Sequence, residues 1–449
     1  MKELILDILI RGGMILTISK DKDIIEKGDV GIRDGKIVFV NDSKSHHTVS
    51  MAKETIDARG SLVMPGLVNT HTHLPMICFR GLADDLPLTE WLTNHIFPAE
   101  AAFVNREFCR AGARLAIAEM ILSGTTTFCD AYFYPGSIAH AAIESGMRGV
   151  VCAGFTDFPA PGNPDPSKNM DIAQAFIDRW QAASPLITPA LFCHAPYTCS
   201  PATYQDIKEV ARRSNTLFMT HLSETQEEVS DIKERYGNTP LLHLHALGIL
   251  DEHTVAVHCN WLDEEELTIM ADYDTKVSHN PESSMKLAAG IASIPEMLAQ
   301  GITVGLGTDG CASNNDLDLM QEMGAAARLH KVAALDPTVM DAQTVVEMAT
   351  IGGAKVLGLE TIVGCIEPGK KADIILLDLN QPHLTPLYNP YSQVVYAASG
   401  SDVSTVIIDG KVIMKDRTIR TMDIAAAMET VRDISRHIAD SGGAPRRYP

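Results

Sequence analysis

Along the middle of the chain, short apolar runs of strand character alternate with longer stretches whose apolar residues recur at helical spacing. The strand-like runs are SLVMPGLVNTHTH, GTTTFCDAYF, RGVVCAGFTD, PALFCHAPYT, TLFMTHLSE, TVAVHC, TKVSHNP and ITVGLGTDG. Helical patterns such as NREFCRAGARLAIAEMILSG and SPATYQDIKEVARRSN separate them, and DLDLMQEMGAAARLHKVAA follows the last. Ser200 before Pro201, and Ser293 three residues ahead of Glu296, read as helix N-caps. Eight β–α units in succession predict an α/β fold, a closed (β/α)8 TIM barrel over residues 64–365 rather than an open sheet.

The two ends of the chain carry a different pattern. Residues 1–63 and 366–449 contain alternating apolar strands joined at Asp-Gly, which is a hairpin signal. VGIRDGKIVFV near the start resembles VIIDGKVIMKD near the end. The two ends are therefore expected to form one small β-sandwich domain beside the barrel. DIAAAMETVRDISRHIAD reads as a terminal amphipathic helix, followed by a loose GGAPRRYP tail.

Composition narrows the classes of function. The chain has 449 residues, 45% hydrophobic and 21% charged, as in an ordinary globular protein. Runs such as ADIILLDL fall well short of the roughly 20 residues that a membrane span needs. The start, MKELILDILIRGG, lacks a signal-peptide pattern, so a cytoplasmic location is expected. A net charge of −20 argues against nucleic-acid or anionic-membrane partners. Nine cysteines without a CxxC read as buried thiols in a reducing compartment, not as a disulfide framework. A homo-oligomer is expected of such a barrel.

In a barrel, functional side chains come from the C-terminal ends of the strands. His71 and His73 end the first strand, and two residues apart on a strand they share a face. Alone, such a pair either closes a strand as two polar residues or offers two ligands to one ion. The pair His243 and His245 is a control, because its neighbours repeat at helical spacing and two residues on a helix are about 200° apart. Company at other strand ends favours ligation for the first pair. His221 ends the fifth strand, with Glu224 three residues on; His258 ends the sixth and Asp309 the eighth. Three histidines and one aspartate around one ion suit Zn²⁺, with Fe²⁺ and Mn²⁺ as alternatives.

PGLVNTHTH, HLSE, VHC, SHNP and GTDG, in this order, resemble the amidohydrolase superfamily over essentially the whole chain. FRGLADDLPLTEWL with FPAE, HAPYTCSP and LGTDGCASNN narrow the resemblance to the 5-methylthioadenosine/S-adenosylhomocysteine deaminases. The resemblance implies that His71, His73, His221 and Asp309 hold one metal ion. A mononuclear site is expected because PALFCHAPYT lacks the lysine of binuclear relatives. It further implies hydrolytic deamination of an adenine ring at C6 in a small-molecule nucleoside. Glu224 would protonate N1, His258 would hydrogen-bond the attacking water or the developing tetrahedral centre, and Asp309 would take the water's proton. Glu100 would accept the ribose hydroxyls, His194 would contact the purine, and Trp91 would form an apolar wall or part of the core.

One departure bears on the substrate. Members that accept S-adenosylhomocysteine are expected to carry an arginine after the third strand, where this chain has Ala153. Arg148 lies before that strand, and Lys168 is a loose substitute. Methylthioadenosine or adenosine is therefore favoured. The alternatives are a related ring such as guanine or an s-triazine, and a non-enzymatic scaffold on the same fold.

Overall fold

Two sheets account for the named strands of the computed structural model, which describes residues 5–20, 24–42 and 51–441. The expected GGAPRRYP tail lies outside the described residues. The first sheet takes strands from both chain ends: β1 (Ile5–Leu16), β2 (Ile24–Arg33), β3 (Lys36–Asp42), β4 (Met51–Asp57) and β5 (Ser61–Pro65). The second is the barrel: β6 (Leu67–Thr72), β7 (Thr125–Tyr132), β8 (Arg148–Phe155), β9 (Ile187–Cys193), β10 (Phe218–Leu222), β11 (Thr254–His258), β12 (Lys276–His279) and β13 (Val304–Leu306). β14 (Ile374–Asp378), β15 (Val403–Ile408), β16 (Lys411–Lys415) and β17 (Thr418–Ile419) return to the first sheet. Its order is β17-β16-β15-β14-β5-β1-β2-β3, with β4 parallel to β1.

The Asp-Gly hairpins form as the sequence predicts. Asp34 (φ 53°) and Gly35 (φ 74°) turn β2 into β3, and Asp409 (φ 49°) and Gly410 (φ 71°) turn β15 into β16. Two left-handed residues give the twist that a two-residue hairpin requires. The two turns pack on each other so closely that a Cβ on Gly410 would stand 2.5 Å from the Cα of Gly35. Ile8, Ile10, Val30, Ile37, Ile374 and Ile407 fill the core of this domain.

The barrel strands run parallel in chain order, and the sheet closes where Thr72 bridges Asp309 and Asp309 N–H donates to the His71 carbonyl at 3.0 Å. Their residues are almost all buried, which is why they read as unbroken apolar runs and not as alternation. Val68, Cys129, Cys152, Phe192, Met219 and Val257 belong to one buried cluster formed by these strands. All nine cysteines are free and buried.

SLVMPGLVNTHTH, a single run in the sequence, is two strands. β5 pairs with β1 and β14, and β6 pairs with β7, with the break at Gly66. A Cβ there would overlap the Thr126 side chain, so only glycine lets the chain pass from one sheet to the other. Ser200 caps its helix, accepting from Thr203 N–H. Ser293 stands at the N-cap position of Ile294–Ala299 but makes no side-chain cap bond. Its ψ of 55°, against 162° at Ser200, departs from the extended conformation that aims a capping oxygen at the helix. The terminal helix, Ile424–Asp440, is capped by Asp423 and packs against Arg106–Leu122. Among the described residues no helix is long and apolar enough to cross a membrane.

Candidate active site

The C-terminal ends of the barrel strands hold an unusual concentration of left-handed backbone at residues other than glycine. Ser223 (φ 50°) follows β10, His258 (φ 73°) and Cys259 (φ 54°) end β11, and Asp309 (φ 61°) lies beyond β13. Such conformations persist only where the surroundings enforce them, and they concentrate at functional sites. Of these, His258 and Asp309 line the cavity at this end of the barrel.

His71, His73, His221 and Asp309 each offer one ligand atom, and these atoms all lie within 4.8 Å of one another. His71 Nε2 and His73 Nε2 stand 3.5 and 3.4 Å from Asp309 Oδ1, and His221 Nε2 stands 3.2 Å from His71 Nε2. Four donors each about 2.1 Å from one tetrahedral ion would be about 3.4 Å apart. The donor set fits a metal ion in chemistry as well as spacing. His73 Nδ1 donates to the Ala131 carbonyl at 2.5 Å, which leaves the Nε2 lone pair for the cluster. Burial lowers His73 to about 4 and holds His221 well below its ordinary range, so both are neutral imidazoles with lone pairs to offer. Burial opposes the charge on Asp309, but the His71 hydrogen bond and the fields of the surrounding imidazoles outweigh it and keep the carboxyl well below the usual range. A shared cation would also serve the facing Nε2 atoms of His71 and His221, which stand 3.2 Å apart. Among the described residues this is the group of His, Cys, Asp and Glu side chains found to converge in this way. The control pair behaves as expected: His243 and His245 lie on the helix Pro240–Ala246, one stacked on Tyr236 and the other against Tyr273.

Glu224 and His258 flank the cluster, with Glu224 Oε1 3.8 Å from His258 Nε2. Burial, reinforced by the charges of Asp309 and Glu228, pushes the Glu224 carboxyl well above its ordinary range, which favours its protonated form. Burial lowers His258 to about 3, so it is neutral. The Asn280 amide donates to His258 Nδ1 at 3.4 Å, which leaves the imidazole proton on Nε2, the nitrogen on Glu224's side. Both residues line a cavity of about 460 Å³ together with His73, His221 and Asp309.

The same cavity is lined by Glu100, His194, Trp91 and an apolar group that includes Leu88, Phe97 and Phe158. Glu100 lies on the helix Phe97–Phe103, and burial pushes its carboxyl up to about 7 while the Tyr132 hydroxyl opposes the shift. Among the described residues no lysine or arginine lines the cavity. Gly154, not Ala153, is the lining residue there. Arg148 begins β8 at the opposite end of the barrel, in a buried pair with Asp373 at 2.8 Å. Lys168 is 65% exposed and faces Asp165.

Several supporting residues escape a reading of the sequence. Ser283 and Ser313 hydroxyls donate to Asp309 Oδ2 at 2.7 and 2.8 Å. Glu228 accepts from the N–H groups of Ser223 and Glu224, fixing the turn after β10. Asp130 accepts from Leu74 N–H and Thr72 Oγ1 and so holds the loop that carries His73. A signal existed for the last: Asp130 and Tyr132 stand two apart at the end of a buried strand, hence on one face.

Comparison with known proteins agrees with this geometry. The amidohydrolase family matches residues 62–413. The chain is 47% identical to the 5-methylthioadenosine/S-adenosylhomocysteine deaminase of Syntrophobacter fumaroxidans, over 96% of this chain and 98% of that protein. It is 44% identical to the 5′-deoxyadenosine deaminase of Methanothermobacter thermautotrophicus, over 94% and 96% respectively. A solved adenosine deaminase from Xanthomonas campestris with bound zinc superposes with a TM-score of 0.95 at 37% identity, covering 97% of this chain and 99% of that one.

Proposed function

The chain belongs to the amidohydrolase family, and on that premise we propose that it hydrolyses the 6-amino group of adenosines with an uncharged 5′ group, such as 5′-methylthioadenosine, 5′-deoxyadenosine and adenosine. The products are the inosine analogue and ammonia. The observation that carries the reading is one cavity in which a His-His-His-Asp cluster and the buried Glu224 share the walls with a second buried carboxyl, Glu100, with no lysine or arginine among the described lining residues.

His71, His73, His221 and Asp309 are the metal ligands in this reading, and zinc is the ion. Zinc supplies Lewis acidity that makes a water nucleophilic near neutral pH. Asp309, ionised and held by two serine hydroxyls, accepts the proton of the attacking water. Glu224, kept protonated by burial, donates to ring N1 as C6 becomes tetrahedral. His258 Nε2–H donates to the attacking oxygen and orients it toward C6. The proton gathered by Asp309 passes to the amino group, which leaves as ammonia, and the remaining hydroxyl proton returns to Glu224 as the C6 carbonyl forms. Glu100 accepts the ribose hydroxyls and His194 contacts the purine. This is the division of labour of zinc deaminases in general, a polarising ion plus a glutamate that is not a ligand.

The test is ammonia release with the ultraviolet change of adenine to hypoxanthine, measured on these three nucleosides and on S-adenosylhomocysteine. Silence on all four, with metal bound, would overturn the reading. S-Adenosylhomocysteine is expected to show a kcat/KM about 100-fold below that of 5′-methylthioadenosine, because its charged amino-acid tail meets an apolar wall without a cation. Equal turnover of both would sink that expectation.

Glu100→Ala separates a nucleoside from a bare ring such as guanine or a triazine. Nucleoside kcat/KM should fall about 100-fold, since the loss removes charged hydrogen bonds to two hydroxyls. A substrate without ribose should scarcely respond. An unaltered nucleoside rate in this variant would remove Glu100 from the site.

A further inference from the structure

Glu100 is held by a second buried residue that the reaction itself does not use. Its Oε1 accepts a 2.7 Å hydrogen bond from the hydroxyl of Tyr132, the last residue of β7. Both side chains are buried and both line the cavity. The phenol comes from a barrel strand, whereas Glu100 comes from the short helix Phe97–Phe103, so the bond ties a helix side chain to the rigid barrel. The Tyr132 ring is itself packed, 4.9 Å from Phe133 and 6.1 Å from His73.

We propose that Tyr132 is a positioning residue for ribose recognition, its hydroxyl fixing the Glu100 carboxylate so that Oε2 and the remaining lone pair of Oε1 are left for the cis-diol. The proposal rests on the reading of Glu100 given above. A carboxylate oxygen has two acceptor directions, so the Tyr132 bond removes one of four and orients the other three. Without that anchor the side chain regains rotamer freedom, which substrate binding must then restrict.

The surroundings of the pair explain why an anchor matters. The titratable groups facing it are the thiols of Cys109, on the helix Arg106–Leu122, and Cys78, on the turn Leu74–Phe79. Burial keeps both protonated. With no lysine or arginine among the described lining residues, the Tyr132 hydroxyl is the group that offsets burial of the Glu100 charge. Glu100 titrates at about 7, so its ionised fraction falls as pH drops through neutrality. Removing the hydroxyl disfavours the charged form and moves that point upward.

The experiment is Tyr132→Phe, assayed with adenosine and with 2′,3′-dideoxyadenosine across pH. The preference for adenosine in kcat/KM should shrink by about tenfold, through KM and with kcat nearly held. The dideoxy rate should stay at its unaltered value, and the pH at which adenosine KM begins to rise should move upward. A purely structural role would lower both substrates equally and leave the inflection in place, which would overturn the proposal. So would an unchanged diol preference. Absence of turnover of both nucleosides by the unaltered chain would overturn the nucleoside reading, and this role with it.

Discussion

Glu224→Gln is expected to lower kcat for 5′-methylthioadenosine by about 10³- to 10⁴-fold, the upper range for loss of a positioned general acid. The substitution keeps size and shape, so the cavity wall is preserved. Glu228 holds this turn through the backbone N–H groups of Ser223 and Glu224, and that grip does not depend on the Glu224 side chain. The amide can still donate a hydrogen bond to N1, but it cannot deliver a proton. KM should therefore change little while the chemical step collapses. Metal content should be unaltered, because Glu224 lies outside the His71, His73, His221 and Asp309 cluster. A variant that retained a tenth of the rate would show that the proton comes from elsewhere.

How much of this was legible beforehand depends on whether the partners are near in sequence or only in space. The barrel was legible because strands buried on both faces must be continuously apolar, and helices between them must show a stripe. The hairpin turns at Asp34-Gly35 and Asp409-Gly410 were legible because their left-handed pair restricts which residues fit. His71 and His73 could be paired because strand geometry alone puts them on one face. The crossing at Gly66 was not legible, since apolar residues on both sides hide the change of sheet and only the approach of Thr126 reveals it. One of the hydroxyls on Asp309 is a similar case: Ser283 is 26 residues away in sequence, on the helix Pro281–Lys286. Tyr132 and Glu100 are 32 apart, joined by the packing of the helix Phe97–Phe103 against the end of β7 and not by any local spacing. Ligands recur in motifs, whereas the groups that hold the ligands are chosen by packing.

Removal of the metal by a chelator should abolish turnover and also lower the melting temperature. The cluster brings the His71 and His221 Nε2 atoms to 3.2 Å and the buried Asp309 carboxylate to 3.5 and 3.4 Å from His71 and His73, an arrangement that a cation stabilises. An ion bound at 1,000 times its Kd adds about 4 kcal/mol to the folded state, which is a few degrees for a chain of this length. Restoring zinc should restore both properties together. Asp309→Asn sharpens the test. The amide keeps the shape, and its oxygen can still accept from Ser283 and Ser313, so the loop after β13 should stay in place. The charge is lost, and with it both an anionic ligand and the acceptor of the water's proton. Turnover should fall by about 10³-fold or more, and excess zinc should not recover it even when the metal is bound again. Recovery by zinc alone would reduce Asp309 to a ligand and assign the proton to another group. His258 could not take that proton as it stands, since its Nε2 carries a hydrogen and its Nδ1 accepts from Asn280.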